Sequence, residues 1–198
     1  MTETRQNTTE TRTARSQAKA DRRQALLDAA ASLFAERGFT RVSLEDLGSA
    51  AGVSGPAVYR HFDGKQDVLA AILIDASTNL HTGAQTVIEH AATPRAALDS
   101  LVQFHVDFAL GNADVIRVQD RDLDSLTASD QHDVRALQRS YVELWVGVLA
   151  QVHPDAATPE LRTRAHATFG LINSTPHSGR AGATRAVLER MALAALDA

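Results

Sequence analysis

The chain has 198 residues, 20 Lys and Arg against 24 Asp and Glu for a net charge of −4, 44% hydrophobic side chains and no cysteine. That length and apolar content fit one domain, or one with a small appendage, and exclude a wholly disordered chain. The missing thiols exclude disulfides, thiolate zinc, iron–sulfur clusters and a cysteine nucleophile, and the excess of acid argues, on its face, against nucleic acid as a partner. No run approaches the roughly 18 consecutive apolar residues of a membrane span, and the polar stretch 1–17 lacks the apolar core of a signal peptide. The expectation is a soluble, cytoplasmic chain without a membrane partner.

Residues 1–18 are rich in Thr, Arg, Gln and Glu, too poor in apolar side chains to offset the entropy of ordering, and read as a disordered basic tail. Leu26, Leu27, Ala30, Leu33 and Phe34 then recur at helical spacing before Gly38, which predicts a first helix over about 20–37. Ser43 followed by Leu44, Glu45 and Asp46 has the form of a capping box and opens a short helix that Gly52 closes. Ser54 caps again, Pro56 sits in a first turn where its missing N–H is harmless, and 57–62 should add about two turns before 63–66 stop them.

Val68, Leu69, Ile72 and Leu73 start a helix running to about Ala91, and Thr93-Pro94 opens another that ends at Gly111. The stretch 112–126 is mixed, a shorter helix with a loop. Val134, Leu137, Tyr141, Leu144, Trp145, Val148 and Val152 mark a long helix over about 129–152. Thr158-Pro159-Glu160 begins the next, which 173–176 break, and an Ala-rich helix finishes the chain. No segment alternates with period two over strand length. The expected fold class is all-α, with about nine helices, a helix-turn-helix domain over 19–65 and a larger helical domain over 66–198.

Residues 43–62 carry the functional signal. Two short helices joined by Ala51-Gly52-Val53-Ser54 have helix-turn-helix spacing, and Tyr59, Arg60, His61 and Lys65 offer a phenol, a guanidinium, an imidazole and an ammonium to phosphate oxygens. The bare backbone near Gly55 can approach DNA closely. Tyr59 reads as a phosphate contact and not as core, because Val58 and Phe62 already supply the buried i, i+4 pair. Phe34, Phe39, Leu44, Leu47, Val53, Val58 and Phe62 should form the small core here. Arg5, Arg12, Arg15, Lys19, Arg22 and Arg23 suit either a minor-groove arm or an inert tail.

The runs Gly38–Leu47, Ala50–Ser54 and Val58–Phe62, with Lys65 and Leu69, resemble the DNA-binding domain of the TetR family of bacterial transcriptional regulators over about 21–70. The resemblance implies a homodimer on a palindromic operator, with a C-terminal domain that binds a small effector and releases the DNA. By position it makes Ser43, Tyr59 and His61 phosphate contacts and gives Lys65 the backbone at the start of the following helix. Arg60 stands where relatives often carry Tyr and could read a guanine edge. Gly55, Pro56 and Ala57 depart from the family's Lys, Gly and Thr or Asn, so readout there would rest on Arg60, an Ala57–thymine methyl contact and DNA shape.

In the C-terminal half, Phe104, Phe108, Tyr141, Trp145 and Phe169 form aromatic stripes that suit core or a ligand cavity, with His105, Arg117, Gln138, His166 and Asn173 interleaved to orient a polar group. Arg117 and Arg121 suggest an anionic or thioester ligand with an apolar tail, and the C-terminal half resembles the branch of the family whose members often sense acyl-CoA or related catabolites. Dimerisation should use the last two helices, where Ala165, Ala186, Ala192 and Ala195 permit close packing. No phosphate loop, His-Glu-x-x-His motif or plausible carboxylate pair is present, which speaks against an enzyme, and no cofactor is expected. The run 120–124 has acids at alternate positions but lacks a calcium loop's central Gly and final Glu, and reads as a solvated loop. A metal sensor using His105 and His166, or a helical interaction module that never meets DNA, are the alternatives. The charge divides unevenly: residues 1–65 hold 10 basic and 8 acidic side chains and residues 66–198 hold 10 and 16, so an acidic body conceals a basic head.

Overall fold

A computed structural model describes residues 3–174 and 181–198, which are helical with no strand among them. The helices are α1 (Glu3–Arg37), α2 (Leu44–Ala50), α3 (Gly55–Val58), α4 (Lys65–Glu89), α5 (Pro94–Gly111), α6 (Ala113–Asp122), α7 (Ala128–Val152), α8 (Thr158–Ile172) and α9 (Ala181–Leu196). Single 3₁₀ turns at Phe39–Arg41 and Leu123–Ser125 complete the order. The chain divides into two compact units, Met1–Ala71 and Ile72–Ala198. No described helix is long and apolar enough to cross a membrane.

Within the first unit, α1 begins at Glu3, well before the expected start near residue 20, and its backbone runs through the stretch read as a disordered tail. Neither Gly nor Pro interrupts residues 3–37, so once the apolar turns near Leu26 are docked the helix can propagate one hydrogen bond per residue. Gln17 and Gln24 add side-chain bonds to Asp21 and Asp28 one turn on, at 2.8 and 2.9 Å. The side chains of Arg5, Arg12 and Arg15 lie outside the described residues. At the other end Gly38, with φ of 88°, takes a conformation L side chains rarely adopt and turns the chain, while its N–H donates to the Phe34 carbonyl.

Leu26, Leu27, Ala30, Phe34, Phe39, Val42, Leu47, Val58 and Phe62 make the buried centre of this unit, with the Phe34 and Phe39 rings edge to face at 5.4 Å. Leu44 and Val53, expected there, are only half-buried. The capping box at Ser43 is complete: the Asp46 N–H donates to the Ser43 hydroxyl at 3.1 Å and the Ser43 N–H donates back to the Asp46 carboxylate at 2.8 Å. Gly52, with φ of 67°, makes the turn, and Val53 N–H returns to the Gly48 carbonyl. The expected two-turn helix over 57–62 is instead one α turn, Gly55–Val58, extended by tight turns in which Arg60 and His61 donate to the carbonyls three residues back. So short a segment cannot sustain i→i+4 pairing on its own, and the burial of Val58 and Phe62 holds it.

In the second unit α5 starts at its Thr93 cap with Pro94 in the first turn, and Thr127 caps α7 in the same way. Residues 112–126 resolve into α6 and the second 3₁₀ turn. Leu98, Leu101, Val102, Trp145, Leu149, Leu161, Ile172 and Leu196 form the centre where α5, α7, α8 and α9 meet. Arg164 donates to the Leu196 carbonyl at 3.0 Å and so satisfies the end of α9. The alanines assigned to dimer packing divide. Ala165 and Ala192 are wholly buried inside this chain's own core, where α8 and α9 pack on each other, whereas Ala186 is exposed and Ala195 half-exposed. The outer face of α9 shows Val187 and Met191 to solvent. The break expected at 175–176 lies outside the described residues.

Candidate nucleic-acid interface and ligand cavity

Residues assigned to DNA sit in three different environments. Tyr59 follows the last residue of α3 and is 56% exposed, so its ring is not part of the core, while Val58 and Phe62 are buried on either side of it as the spacing predicts. Arg60 and Pro56 are exposed, and Ala57 and His61 are half-buried. Lys65 is committed elsewhere: its ammonium donates to the Phe39 carbonyl at 2.7 Å and lies 4.4 Å from the centre of the Phe39 ring. It ties the start of α4 to the 3₁₀ turn, a second N–H reaches the Thr40 carbonyl at 3.4 Å, and one donor remains. Ser43 is more fully engaged. Its hydroxyl donates to Asp46 at 2.7 Å while accepting from the Asp46 N–H, so in this state it offers no proton to a phosphate. The same two Ser43 donors hold the Asp46 carboxyl below its usual range. Of the basic residues at the start of the chain, Lys19 and Arg22 are exposed, and Arg23 lies over the Phe62 ring at 5.3 Å.

The second unit contains a partly open cavity of about 210 Å³. Five of the residues expected at a ligand site meet there: His105 from α5, Tyr141 from α7, and His166, Phe169 and Asn173 from α8 and its cap, with Gln138 beside them. His105, Tyr141 and Phe169 are stacked, with centroids 5.0 to 5.6 Å apart and rings within 27° of parallel. Sequence reading missed Ser77 and Leu80 on α4, Gln119 on α6 and Val142 on α7.

Three expected ligand residues do not line the cavity. Trp145 is fully buried behind it, edge-on to His105 at 6.0 Å and to Phe169 at 5.0 Å. Phe108 is half-buried and tilted 6.4 Å from the His105 ring. Arg117 is exposed and bonded to Asp114 at 3.0 Å, and Arg121 bonds to the buried Asp122 at 2.8 Å, so neither cation on which the anionic ligand rested faces the cavity. Both sit on α6 and engage acids near in sequence on that helix.

His105 is the electrostatic centre of this wall. Its Nε2 meets Asn173 Oδ1 at 3.1 Å and its Nδ1 meets the Tyr141 hydroxyl at 2.7 Å. An amide oxygen only accepts, so Nε2 carries the proton and Nδ1 accepts from the Tyr141 O–H. Burial pushes the imidazole down to about 4 and pushes the Tyr141 phenol up, so both are neutral near pH 7. With both ring nitrogens used, His105 is not available to a metal. Among the described residues no three His, Asp or Glu side chains are gathered for one.

Comparison with known proteins places both units. The family model of bacterial regulatory proteins, tetR family, matches residues 26–72, and the tetracyclin repressor-like C-terminal domain matches residues 91–177. The transcriptional repressor KstR2 of Rhodococcus jostii RHA1 is 30% identical over 132 residues, covering 66% of this chain and 65% of that protein. The chain therefore matches a little under two thirds of that relative's length. A TetR-family regulator from Bordetella parapertussis 12822 superposes with a TM-score of 0.80 at 26% identity, covering 88% of this chain and 94% of the other. AibR, solved with isovaleryl coenzyme A and operator DNA, superposes with a TM-score of 0.73 at 18% identity, covering 86% and 96%. Two family models in the right order, and a like fold over almost the whole of the solved regulators, leave one assignment: the chain belongs to the TetR family of bacterial regulatory proteins.

Proposed function

We propose that the chain is a transcriptional repressor that binds a palindromic operator as a homodimer and leaves it when a small molecule occupies the cavity in the second unit. The observation that carries the DNA half is the exposed Tyr59–Arg60 pair directly after a helix-turn-helix, flanked by the buried Val58 and Phe62. Arg60 takes the guanine edge through its fork, Tyr59 and His61 take phosphates, and Gly55, Pro56 and Ala57 allow close approach of the backbone. Ser43 joins only if its hydroxyl turns from Asp46 to a phosphate, and Lys65 contributes through the one N–H that Phe39 and Thr40 leave free.

Repression is supported by the likeness to KstR2, a named repressor. The part of the effector that enters the cavity is a small group, because about 210 Å³ falls below the roughly 300–1,000 Å³ of sites for drug-sized ligands. The likeness in fold to AibR makes a short acyl-CoA thioester the first candidate. Two reading heads one helical repeat apart require a dimer, which the exposed face of α9 and its neighbour α8 would supply. Such a protein performs no catalysis.

A mobility-shift assay on DNA upstream of the chain's own gene tests the reading. Binding to a palindrome that weakens steeply with salt and is reversed by the effector is expected; no binding to any local palindrome would leave an interaction module in its place.

A further inference from the structure

A second hollow, of about 200 Å³, lies on the α7–α8 side of the cavity and is of opposite chemistry. Its walls are two helical stripes. Arg135, Gln138, Arg139 and Val142 stand at i, i+3, i+4 and i+7 of α7, and Arg162 and His166 at i and i+4 of α8. Three guanidinium groups thus border one groove. Gln138, Val142 and His166 also wall the inner cavity, so the two hollows adjoin through these three residues.

Charge in the groove is incompletely balanced. Arg162 is paired in a fork with Glu143, and Arg135 reaches Asp124 only at 3.7 Å, with its own side chain half-exposed and Asp124 almost fully so. Arg139 is exposed and has no ion-pair or hydrogen-bond partner among the described residues. The groove therefore has one uncommitted guanidinium and two others with spare N–H donors, whereas no cation lines the inner cavity.

We infer that the α7–α8 groove is the head-group half of a two-part effector site, in which Arg135, Arg139 and Arg162 hold the phosphate-bearing head of a ligand whose small apolar group enters the inner cavity past His166. This rests on the cavity's being the effector site. It moves the anion contact from Arg117 and Arg121, where the sequence put it, to residues that border the cavity. Planar guanidinium forks match phosphate oxygens two at a time, and a neutral inner cavity beside a cationic groove separates ligands by head as well as by tail.

The test is isothermal calorimetry on the full chain with two esters of one acyl group: isovaleryl-CoA, with its phosphates, and the neutral S-isovaleryl-N-acetylcysteamine. The CoA ester should bind at least about tenfold more tightly, as one or two charge-assisted bonds to a phosphate imply, and that margin should shrink with added salt. In the double variant Arg135→Gln/Arg139→Gln the margin should vanish while the neutral ester binds as before. Both side chains are exposed, so an unchanged melting temperature certifies the fold. If both esters bind the wild type equally, or if the variant keeps the full margin, the head-group site is wrong and the effector cavity stands. If neither ester binds, the cavity reading fails and this one with it.

Discussion

His105 gives the sharpest prediction. Its ring is 3% exposed, held between Tyr141 and Asn173, and burial brings it from 6.5 down to about 4. Between these values the unfolded chain binds a proton that the folded chain refuses. Stability from this group is therefore complete above about pH 6.5 and is lost as pH falls towards 4. The gap is worth about 3 kcal/mol in full, and at about pH 5 roughly 2 kcal/mol of it is already lost. His105→Gln keeps a polar group in the space but has no proton to gain. Urea unfolding followed by circular dichroism at about pH 7.5 and about pH 5 should show the wild type losing roughly 2 kcal/mol more than the variant between the two conditions. The variant should be the weaker protein at the higher pH, since it disturbs two buried hydrogen bonds. Equal losses in the two proteins would refute the reasoning, because His105 would then hold its proton equally well folded and unfolded.

Other perturbations test separate parts of the molecule. A Cβ at Gly83 would stand 2.5 Å from Cε2 of Phe104 and closer still to Cζ. Gly83→Ala should accordingly destabilise by about 1–3 kcal/mol, yet stabilise in a Phe104→Ala background, where only its helix propensity acts; calorimetric melting of the four proteins decides. Ser43→Ala removes the cap of α2 and should cost about 1 kcal/mol of stability whether or not DNA is present. Arg60→Ala should leave the melting temperature unchanged and, if the arginine reads guanine, cost roughly 1–3 kcal/mol of operator affinity at one base pair; uniform loss across operator variants would make it a phosphate contact. Lys65→Met should lower stability even without DNA, by about 1–2 kcal/mol, since it removes both the bond to Phe39 and the ammonium over its ring. No change in melting would mean that its role is confined to the complex.

Elements set by neighbours in sequence were legible before the structure. Ser43 with Asp46, Thr93 with Pro94, and the glycines at 38 and 52 act over one turn, so their chemistry is local. The start of α1 was not legible, because the argument from composition weighs burial and says nothing of a helix extended from an end already docked. In the cavity, His105, Tyr141, Phe169 and Asn173 could be picked out as polar or aromatic residues on apolar helix stripes. Ser77 and Gln119 could not, since a lone polar residue in a stripe declares its facing only once the neighbouring helices are placed. Arg117 failed for the opposite reason. Its partner Asp114 is three residues away, a spacing that lets the two side chains meet on the helix surface. The arginines at 135 and 139 stand at i, i+4 on α7, but exposed arginines on a helix carry no local sign of a hollow beside them.

Trp145 has a consequence for measurement. It is the chain's single tryptophan, wholly buried and edge-on to His105, Tyr141 and Phe169, three rings that also wall the cavity. All indole fluorescence therefore comes from one site, one ring removed from the cavity, while the helix-turn-helix unit contributes none. An occupant of the cavity, or a proton on His105, changes the emission of a chromophore whose location is already known. The molecule thus carries an unlabelled optical gauge of the cavity proposed as its effector site.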